Sequence, residues 1–160
     1  MAYSVSVTTR APRVGETDGV SYHFVDGEQF DKLIATDGLL EWAFYAGTRY
    51  GTPRQPVLDA LAAGRTMLLE IDLNGARQVR HTFPVALQVF IAPPSWQELE
   101  RRLRDRGAET PDQMEARLAR AKEELAAEAE FDHVIVNDDL TQAVDQLVDL
   151  IGLKQARGNT

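Results

Sequence analysis

Two arginines and a tyrosine near the start of the chain have the types and spacing of an anion-binding site. Arg10 and Arg13 lie three residues apart in a predicted loop, Pro12 restrains the backbone between them, and Tyr22 follows in a predicted strand. Two guanidinium groups and a phenol can hold a phosphate through charge-assisted hydrogen bonds. The same spacing is typical of exposed arginines that only keep a loop soluble, so both interpretations stay open.

Glu41 stands in a predicted strand of mostly apolar residues. Strand alternation places its side chain on the same face as Leu39, Ala43 and Tyr45, where a carboxylate needs a partner. A guanine edge offers a ring N–H and an exocyclic amine, whereas adenine presents a lone pair to the negative charge. Hydrogen bonds that the wrong base cannot make can discriminate by roughly 10⁴-fold or more. The pattern also fits a glutamate that faces solvent from an edge strand.

Two acidic residues, Glu70 and Asp72, close a predicted apolar strand. Ligand sites of α/β folds lie beyond the carboxyl ends of the strands. An Asp in this position resembles the acid that assists Mg²⁺ in P-loop enzymes. Such an Asp also occurs without a functional role, and the pattern alone does not decide between the two.

A predicted helical segment later in the chain is rich in arginine. Helical spacing places Arg102 and Arg106 on one face, and Arg117 follows in a second helical piece. Interleaved acidic residues make an ordinary solvated charge lattice the alternative, so we expect two or three of these arginines to be functional. Structural roles are predicted for the histidines, which have no metal-ligand spacing: His23, His81 and His133.

Composition limits the classes of function that the chain can serve. Its 160 residues and 17.8 kDa fit one ordinary domain. With 17 basic and 25 acidic residues the net charge is −8, which argues against a general nucleic-acid or anionic-membrane surface. Only three of the basic residues are Lys, and Arg has the planar fork that suits phosphate. There is no Cys, which excludes thiolate catalysis. Neither a signal peptide nor a membrane span is predicted, and we expect a cytoplasmic protein.

The first part of the chain predicts short strands and two helices. Alternation predicts a strand at 3–8 and another at 22–25, Asp26 caps a helix that ends near Gly38, and a hairpin joins 39–45 to 49–52. The pair Thr52–Pro53 is a helix-start signature, and Gly64 closes that second helix. This region is therefore predicted to be rich in antiparallel strands.

The later part predicts parallel strands that alternate with helices. Nearly continuous apolar runs at 66–72, 87–92 and 133–137 are typical of buried parallel strands. Helices are predicted at about 74–82, 95–130 and 140–151, the middle one as a hairpin divided at Gly107. Thr110 with Gln113 makes a capping box, and Pro111 takes the first helical position. The fold class is thus α/β.

Six stretches of the sequence resemble the guanylate kinase family and follow one another in the family's order. They lie at 4–24, 39–52, 68–76, 90–96, 101–110 and 134–140, and include T-T-R-A-P-R-V-G-E, L-L-E-W-A-F-Y and L-L-E-I-D-L-N-G-A. The resemblance implies a three-layer P-loop-kinase-like fold with a parallel sheet core in a single domain, 1–160. A small, mostly-β GMP-binding insertion would occupy about 6–64 and a helical lid about 95–130.

The same resemblance implies ATP-dependent phosphorylation of GMP, with Mg²⁺ accompanying the ATP. GMP and ATP are the implied partners. The phosphate of GMP would be held by Ser6, Arg10, Arg13, Tyr22 and Tyr50, and the guanine by Glu41, Thr52 and Glu70. At Glu70 the family often has Asp, so the longer side chain places that contact differently. Asp72 would support Mg²⁺ indirectly, Arg102, Arg106 and Arg117 would neutralise the transferring phosphoryl group, and Asn137 would lie near the adenine or ribose of ATP.

One departure from the family pattern is large. The family begins with a strand, a G-x-x-x-x-G-K-[ST] loop and a helix that hold the ATP phosphates, and these 160 residues contain no such loop. We expect a segment of about 25 to 30 residues to be missing before Met1, including an interior strand of the parallel sheet, and we expect the polypeptide to bind GMP weakly and turn over poorly. Three explanations compete: a fragment of a normal enzyme, a non-catalytic module that binds GMP or a phosphoprotein, and a split enzyme or dimer that closes the gap.

Overall fold

The computed structural model describes residues 2–45, 47–105 and 110–157. It divides into two compact units, unit 1 at 1–86 and unit 2 at 87–160. The predicted α/β class is confirmed, because the described residues combine α-helices with parallel strand pairs. None of the described helices has the length and apolar composition that crossing a bilayer requires.

Short strands in two sheets make up the β structure of unit 1. They are β1 (Ala2–Tyr3), β2 (Val7–Thr8), β3 (His23–Phe24), β4 (Leu39–Tyr45), β5 (Thr48–Pro53) and β6 (Met67–Leu68). β1 pairs in parallel with β6, and the other four lie in the order β3-β2-β5-β4. β5 runs antiparallel to both of its neighbours, which confirms the predicted hairpin, whereas β2 and β3 run parallel.

The strand predicted at 3–8 is wrong as a single element, because the chain changes sheets within it. The N–H of Ser4 donates to the carbonyl of Leu68 at 3.2 Å, on the side of β6. Two residues later the carbonyl of Ser6 accepts from His23 at 2.8 Å, on the side of β3. The strand predicted at 66–72 is likewise shorter, since its ladder with β1 covers only Met67 and Leu68.

Three helices complete the described part of unit 1: α1 (Gly27–Ala35), α2 (Arg54–Ala62) and α3 (Leu73–Thr82). Asp26 caps α1 in a full capping box with Gln29, as predicted for this N-cap. α2 begins one residue later than its signature indicates, because Pro53 is the N-cap and Thr52 stays in β5. Two buried clusters form the core, one of Val7, Phe30 and Leu39 and one of Leu40, Val57 and Val79. β4 contributes a residue to each cluster, so both of its faces are covered at this point.

Unit 2 pairs two parallel strands with helices. Its described elements are β7 (Val89–Ala92), α4 (Trp96–Asp105), α5 (Pro111–Ala126), a 3₁₀ turn (Glu128–Glu130), β8 (His133–Val136) and α6 (Leu140–Arg157). Thr110 and Gln113 form the predicted capping box, and Pro111 opens α5. Within the described residues the parallel strand pairs are β1–β6, β2–β3 and β7–β8. The predicted hairpin division at Gly107 lies outside the described residues.

Candidate functional site

Arg10, Tyr22 and Tyr50 lie together in unit 1. Arg10 follows β2, and its Nε donates to the phenol oxygen of Tyr50, on β5, at 3.2 Å. The guanidinium carbon lies 5.5 Å from the centre of the Tyr22 ring, and the two tyrosine rings are 5.9 Å apart. The strand order β3-β2-β5 explains this grouping, because β2 stands between the strands that carry or adjoin the tyrosines. We call these three residues the phosphate cluster.

Glu16 is a member of this region that sequence reasoning missed. Its carboxylate accepts from Nη1 and Nη2 of Arg10 at 2.9 and 2.8 Å, and from the backbone N–H of Arg13 at 2.7 Å. These bonds hold the pKa of Glu16 below its ordinary value, chiefly through Arg10, and they raise the pKa of the Arg10 guanidinium. The signal in the sequence is only a carboxylate in the same loop, which has no fixed period to predict the contact.

Backbone placement around the cluster is fixed by Thr8. The buried Thr8 hydroxyl accepts from the backbone N–H of Arg10 at 3.2 Å and donates to the carbonyl of Arg49 at 2.9 Å. Burial alone raises the pKa of Tyr50, but hydrogen bonds from Thr48 and Arg10 outweigh it and the net shift is downward. A phenol with a lowered pKa is a stronger hydrogen-bond donor toward an anion.

The other two residues predicted for the phosphate, Ser6 and Arg13, are not part of the phosphate cluster. Arg13 is exposed in the loop after β2, where its backbone N–H contacts Glu16. Ser6 is half-buried just before β2. Their roles toward a phosphate stay predictions.

Glu41 is buried, with only 6% of its surface exposed, although it lies on the edge strand β4. The solvent-facing interpretation is therefore wrong. Thr52, its register partner on β5, donates its hydroxyl to Glu41 Oε1 at 2.6 Å and is itself 1% exposed. The predicted shared face of Leu39 and Glu41 is also wrong: at a register shift between these two residues, Leu39 packs with Phe30 on one side of β4, whereas the Glu41 carboxylate lies against Gly75 of α3. We call Glu41 and Thr52 the Glu41–Thr52 pair.

Helix α3 covers Glu41 from the other side. Asp72 caps α3 by accepting from the N–H of Gly75 at 2.8 Å, which places a second carboxylate near Glu41. Burial raises the pKa of Glu41 above its ordinary value, and the charge of Asp72 raises it further, while the Thr52 hydrogen bond opposes both. A buried carboxylate of this kind favours a ligand that donates hydrogen bonds.

Gln78 fixes α3 against the open edge of β4. Its side-chain amide accepts from the N–H of Trp42 at 3.1 Å and donates to the carbonyl of Trp42 at 2.7 Å. The amide thus pairs with the edge strand as another strand would. Beside it is a groove of about 510 Å³ that includes Glu41, Trp42 and Gln78. The phosphate cluster does not line this groove, so the two features are separate.

Glu70 lies in a different setting from the one that the sequence predicts. Because β6 ends at Leu68, Glu70 is not at the end of a buried strand and its side chain is exposed. Its Oε2 accepts from the phenol of Tyr3 at 3.1 Å. Burial and then the Glu70 charge raise the pKa of Tyr3. Its contact with guanine stays a prediction.

In unit 2, Arg102 and Asn137 are brought together. Arg102, on α4, donates from Nη1 to the carbonyl of Asn137 at 2.9 Å and from Nε to Glu98 at 2.6 Å. Arg101 and then Arg102 lower the pKa of Glu98 to about 2. Arg117 is half-buried on α5, and Arg106 lies outside the described residues.

The carboxylates of the described residues are too dispersed to form a metal site of their own. The part of the chain that the structure describes contains no group of three or more His, Asp and Glu side chains that could hold a metal ion. Asp72, half-buried in the segment after β6, is the predicted contributor toward Mg²⁺. A carboxylate is the ligand type that Mg²⁺ prefers, and one fixed by a helix cap fits an indirect contact.

Comparisons with known proteins agree with one another. The guanylate kinase family model matches residues 1–154. Guanylate kinase of Thermobifida fusca (strain YX) is 62% identical over 148 residues, which cover 92% of this chain and 76% of that protein. Guanylate kinase of Synechococcus sp. (strain CC9902) is 63% identical over 144 residues, covering 90% and 77%.

A solved structure extends the likeness to three dimensions. The crystal structure of guanylate kinase from Anaplasma phagocytophilum has a TM-score of 0.82 and 36% identity to this chain, and the match covers 96% of this chain and 75% of that one. The family resemblance drawn from the six sequence stretches is confirmed by these matches. Since the family model spans nearly all of the sequence, the chain belongs to the guanylate kinase family.

Proposed function

We propose that this protein is an ATP:GMP phosphotransferase, and that it binds GMP in unit 1, the phosphate at the phosphate cluster and the guanine at the Glu41–Thr52 pair. The observation that carries the proposal is the buried Glu41 carboxylate, held by Thr52 at 2.6 Å. Burial of a carboxylate without a cation is unfavourable unless it is hydrogen-bonded. A guanine edge, with two N–H donors, completes that hydrogen bonding.

We assign the phosphate of GMP to the phosphate cluster. Arg10 and Tyr50 already share a hydrogen bond, so a guanidinium and a phenol are oriented together before any ligand arrives. Phosphoryl transfer needs mainly positioning and charge stabilisation from the protein. Holding both the base and the phosphate fixes the oxygen that attacks the γ-phosphoryl group of ATP.

Residues of unit 2 would serve the ATP side of the reaction. Asn137 would contact the adenine or ribose, and Arg102, Arg106 and Arg117 would neutralise charge on the transferring group. The carbonyl of Asn137 and the guanidinium of Arg102 are 2.9 Å apart, which supports a joint role. Mg²⁺ bound with ATP would supply further charge neutralisation, with Asp72 as the carboxylate that orients its surroundings.

The non-catalytic alternative, a module that binds GMP or a phosphoprotein, is not favoured. Relatives that match most of this chain are named guanylate kinase. A phosphopeptide reader would need the phosphate cluster but has no use for a buried carboxylate paired to a threonine. The Glu41 environment therefore supports a nucleotide over a phosphopeptide.

Calorimetric titration of the 160-residue polypeptide with GMP and with AMP tests this proposal. We expect GMP to bind more tightly than AMP, because adenine has no N–H donor facing Glu41. Equal dissociation constants, or no binding of GMP, would contradict it. Since these 160 residues contain no G-x-x-x-x-G-K-[ST] loop, we expect slow turnover by this polypeptide alone, and rapid ADP formation from ATP and GMP would refute that expectation.

A further inference from the structure

Gly75 lies against the carboxylate that we assign to the base. It is buried at the third position of α3, after the Asp72 cap. A Cβ added there would lie 2.6 Å from Oε2 and 3.1 Å from Cδ of Glu41, and 3.2 Å from Cβ of Ile71. The first distance is below the 3.0 Å that real Cβ atoms essentially never pass. Only a glycine leaves the carboxylate where it is.

Close approach, and not backbone freedom, explains this glycine. Among the glycines that the structure describes, those with positive φ are Gly15, Gly19, Gly47 and Gly64, so Gly75 has an ordinary helical backbone. Glycine inside a helix is unfavourable compared with alanine. The helix therefore accepts a poorer residue at the point where α3 meets Glu41.

The carboxylate cannot easily move away from an added side chain. Thr52 holds Oε1 at 2.6 Å from one side, and the whole Glu41 side chain is buried. Gln78 holds α3 to the backbone of Trp42, the residue next to Glu41, through two hydrogen bonds. Neither the helix nor the strand can separate without breaking these contacts.

We propose that Gly75 is a positioning residue for base specificity: its missing side chain lets Glu41 hold the orientation that distinguishes guanine from adenine. The inference rests on the proposed function, because it assigns Glu41 to the base. In this role Gly75 acts through Glu41 and not by contact with the substrate. Any side chain at this position displaces one carboxylate oxygen and removes one acceptor from the guanine edge.

Four variants of the 160-residue polypeptide test the inference: Gly75→Ala, Glu41→Ala, the double variant of both, and Gly152→Ala. Gly152 is the matched control, a helical glycine of α6 whose added Cβ would meet nothing within 4 Å. The measurements are the dissociation constants of GMP and AMP by calorimetry and the thermal midpoint of unfolding. The ratio of the AMP to the GMP constant reports base discrimination separately from phosphate binding.

Gly75→Ala is expected to lower that ratio by about tenfold, since one hydrogen bond to a buried charged group is lost or distorted, and to lower the thermal midpoint. In the Glu41→Ala background the same substitution is expected to leave the ratio unchanged and the midpoint unchanged or higher, because alanine is the better helix former. Gly152→Ala should keep the ratio of the unsubstituted polypeptide. Loss or reversal of the destabilisation in the Glu41→Ala background is the mark of a contact with Glu41.

Other outcomes separate the inference from the function on which it rests. If the unsubstituted polypeptide does not prefer GMP, the proposed function fails. If it does, but Gly75→Ala keeps the full ratio or loses affinity for both nucleotides in equal proportion, the positioning role is wrong. If Gly75→Ala does not fold but the double variant does, the clash with Glu41 is demonstrated. If neither folds, the glycine serves the packing of α3 against Ile71, and the inference is overturned.

Discussion

The two ends of the candidate GMP site in unit 1 bind polar groups by opposite means. At the phosphate cluster, charges are paired with charges: Arg10 meets Glu16, and their side chains are 14% and 20% exposed. At the Glu41–Thr52 pair, Glu41 is more deeply buried and accepts a hydrogen bond from the neutral hydroxyl of Thr52, with the carboxylate of Asp72 nearby. One end is preorganised by an ion pair and the other by packing.

This difference separates affinity from specificity. A phosphate is common to all nucleoside monophosphates, so an arginine cluster attracts them without regard to the base. A carboxylate that is shielded from water makes strong hydrogen bonds to a ligand with matching donors, and binding of a ligand without those donors loses free energy because the buried acceptor stays unsatisfied. Substitutions at the phosphate cluster should therefore change affinity for every nucleotide, whereas those around Glu41 should change discrimination.

The largest effect is expected from Arg10→Ala. Loss of charge-assisted hydrogen bonds to the phosphate should raise the dissociation constants of GMP and AMP by a similar factor, roughly hundredfold. Calorimetric titration with both nucleotides measures it. Arg65→Ala, which changes an exposed arginine in the turn after α2, is the matched control and should bind like the unsubstituted polypeptide. A loss confined to GMP would contradict the assignment of Arg10 to the phosphate.

A smaller but selective effect is expected from Glu41→Gln. The glutamine keeps the size of the side chain and an oxygen for Thr52, but it turns a donor toward the guanine edge and removes the charge. The ratio of the AMP to the GMP dissociation constant should fall roughly tenfold. If GMP and AMP weaken equally, Glu41 does not read the base.

Glu16→Ala should have an effect of about threefold, because Glu16 acts on the phosphate only through Arg10 and a single ion pair that is not fully buried contributes little energy. Without the carboxylate, Arg10 keeps its bond to Tyr50 but loses two of its fixed contacts. GMP and AMP should weaken together, with their ratio unchanged, in parallel calorimetric titrations. A changed ratio would show that the loop holding Glu16 reaches the base.

The smallest effect on discrimination between GMP and AMP is expected from lowering the pH, which protonates Glu41. The folded pKa of Glu41 is raised, so as pH falls toward that value the carboxylate gains a proton in the folded protein before it would in the unfolded chain. We expect the AMP/GMP ratio to fall modestly as the pH is lowered from 7 toward this raised pKa, because the protonated carboxyl offers one acceptor fewer to the guanine edge. Both ligands carry the same phosphate, whose own titration cancels in the ratio. Glu41→Gln should flatten the profile.

The free energy of unfolding should also depend on the ionisation of Glu41, but it should rise as the pH falls, whereas base discrimination decreases. A raised carboxyl pKa stabilises the folded state most at pH below the unfolded pKa, and this contribution is lost as pH rises through the folded pKa. Urea unfolding across that range, compared between the unsubstituted polypeptide and Glu41→Gln, measures the difference. A Glu41→Gln variant with the same pH dependence would show that Glu41 ionises normally.

Local signals in the sequence predicted the parts of the site that depend on neighbours in the chain. The Asp26 cap, the β4–β5 hairpin and the box of Thr110 with Gln113 rest on contacts a few residues apart. Family resemblance placed Tyr22 and Tyr50 with Arg10, and the structure brings these three side chains together.

Long-range contacts account for what sequence reasoning missed. No local pattern marks the change of sheets between Ser4 and Ser6, since both segments are extended. The contact of Glu16 with Arg10 crosses an irregular loop. The closeness of Gly75 to Glu41 is set by packing of α3 on β4, which spacing along the chain does not encode.

A crystal structure of the 160-residue polypeptide with GMP tests the division of the site most directly. We predict that the guanine N–H groups donate to the Glu41 carboxylate beside Thr52, and that the phosphate contacts Arg10 and Tyr50. A guanine ring bound away from Glu41, or a phosphate held by other residues while the cluster keeps its own contacts, would contradict the account.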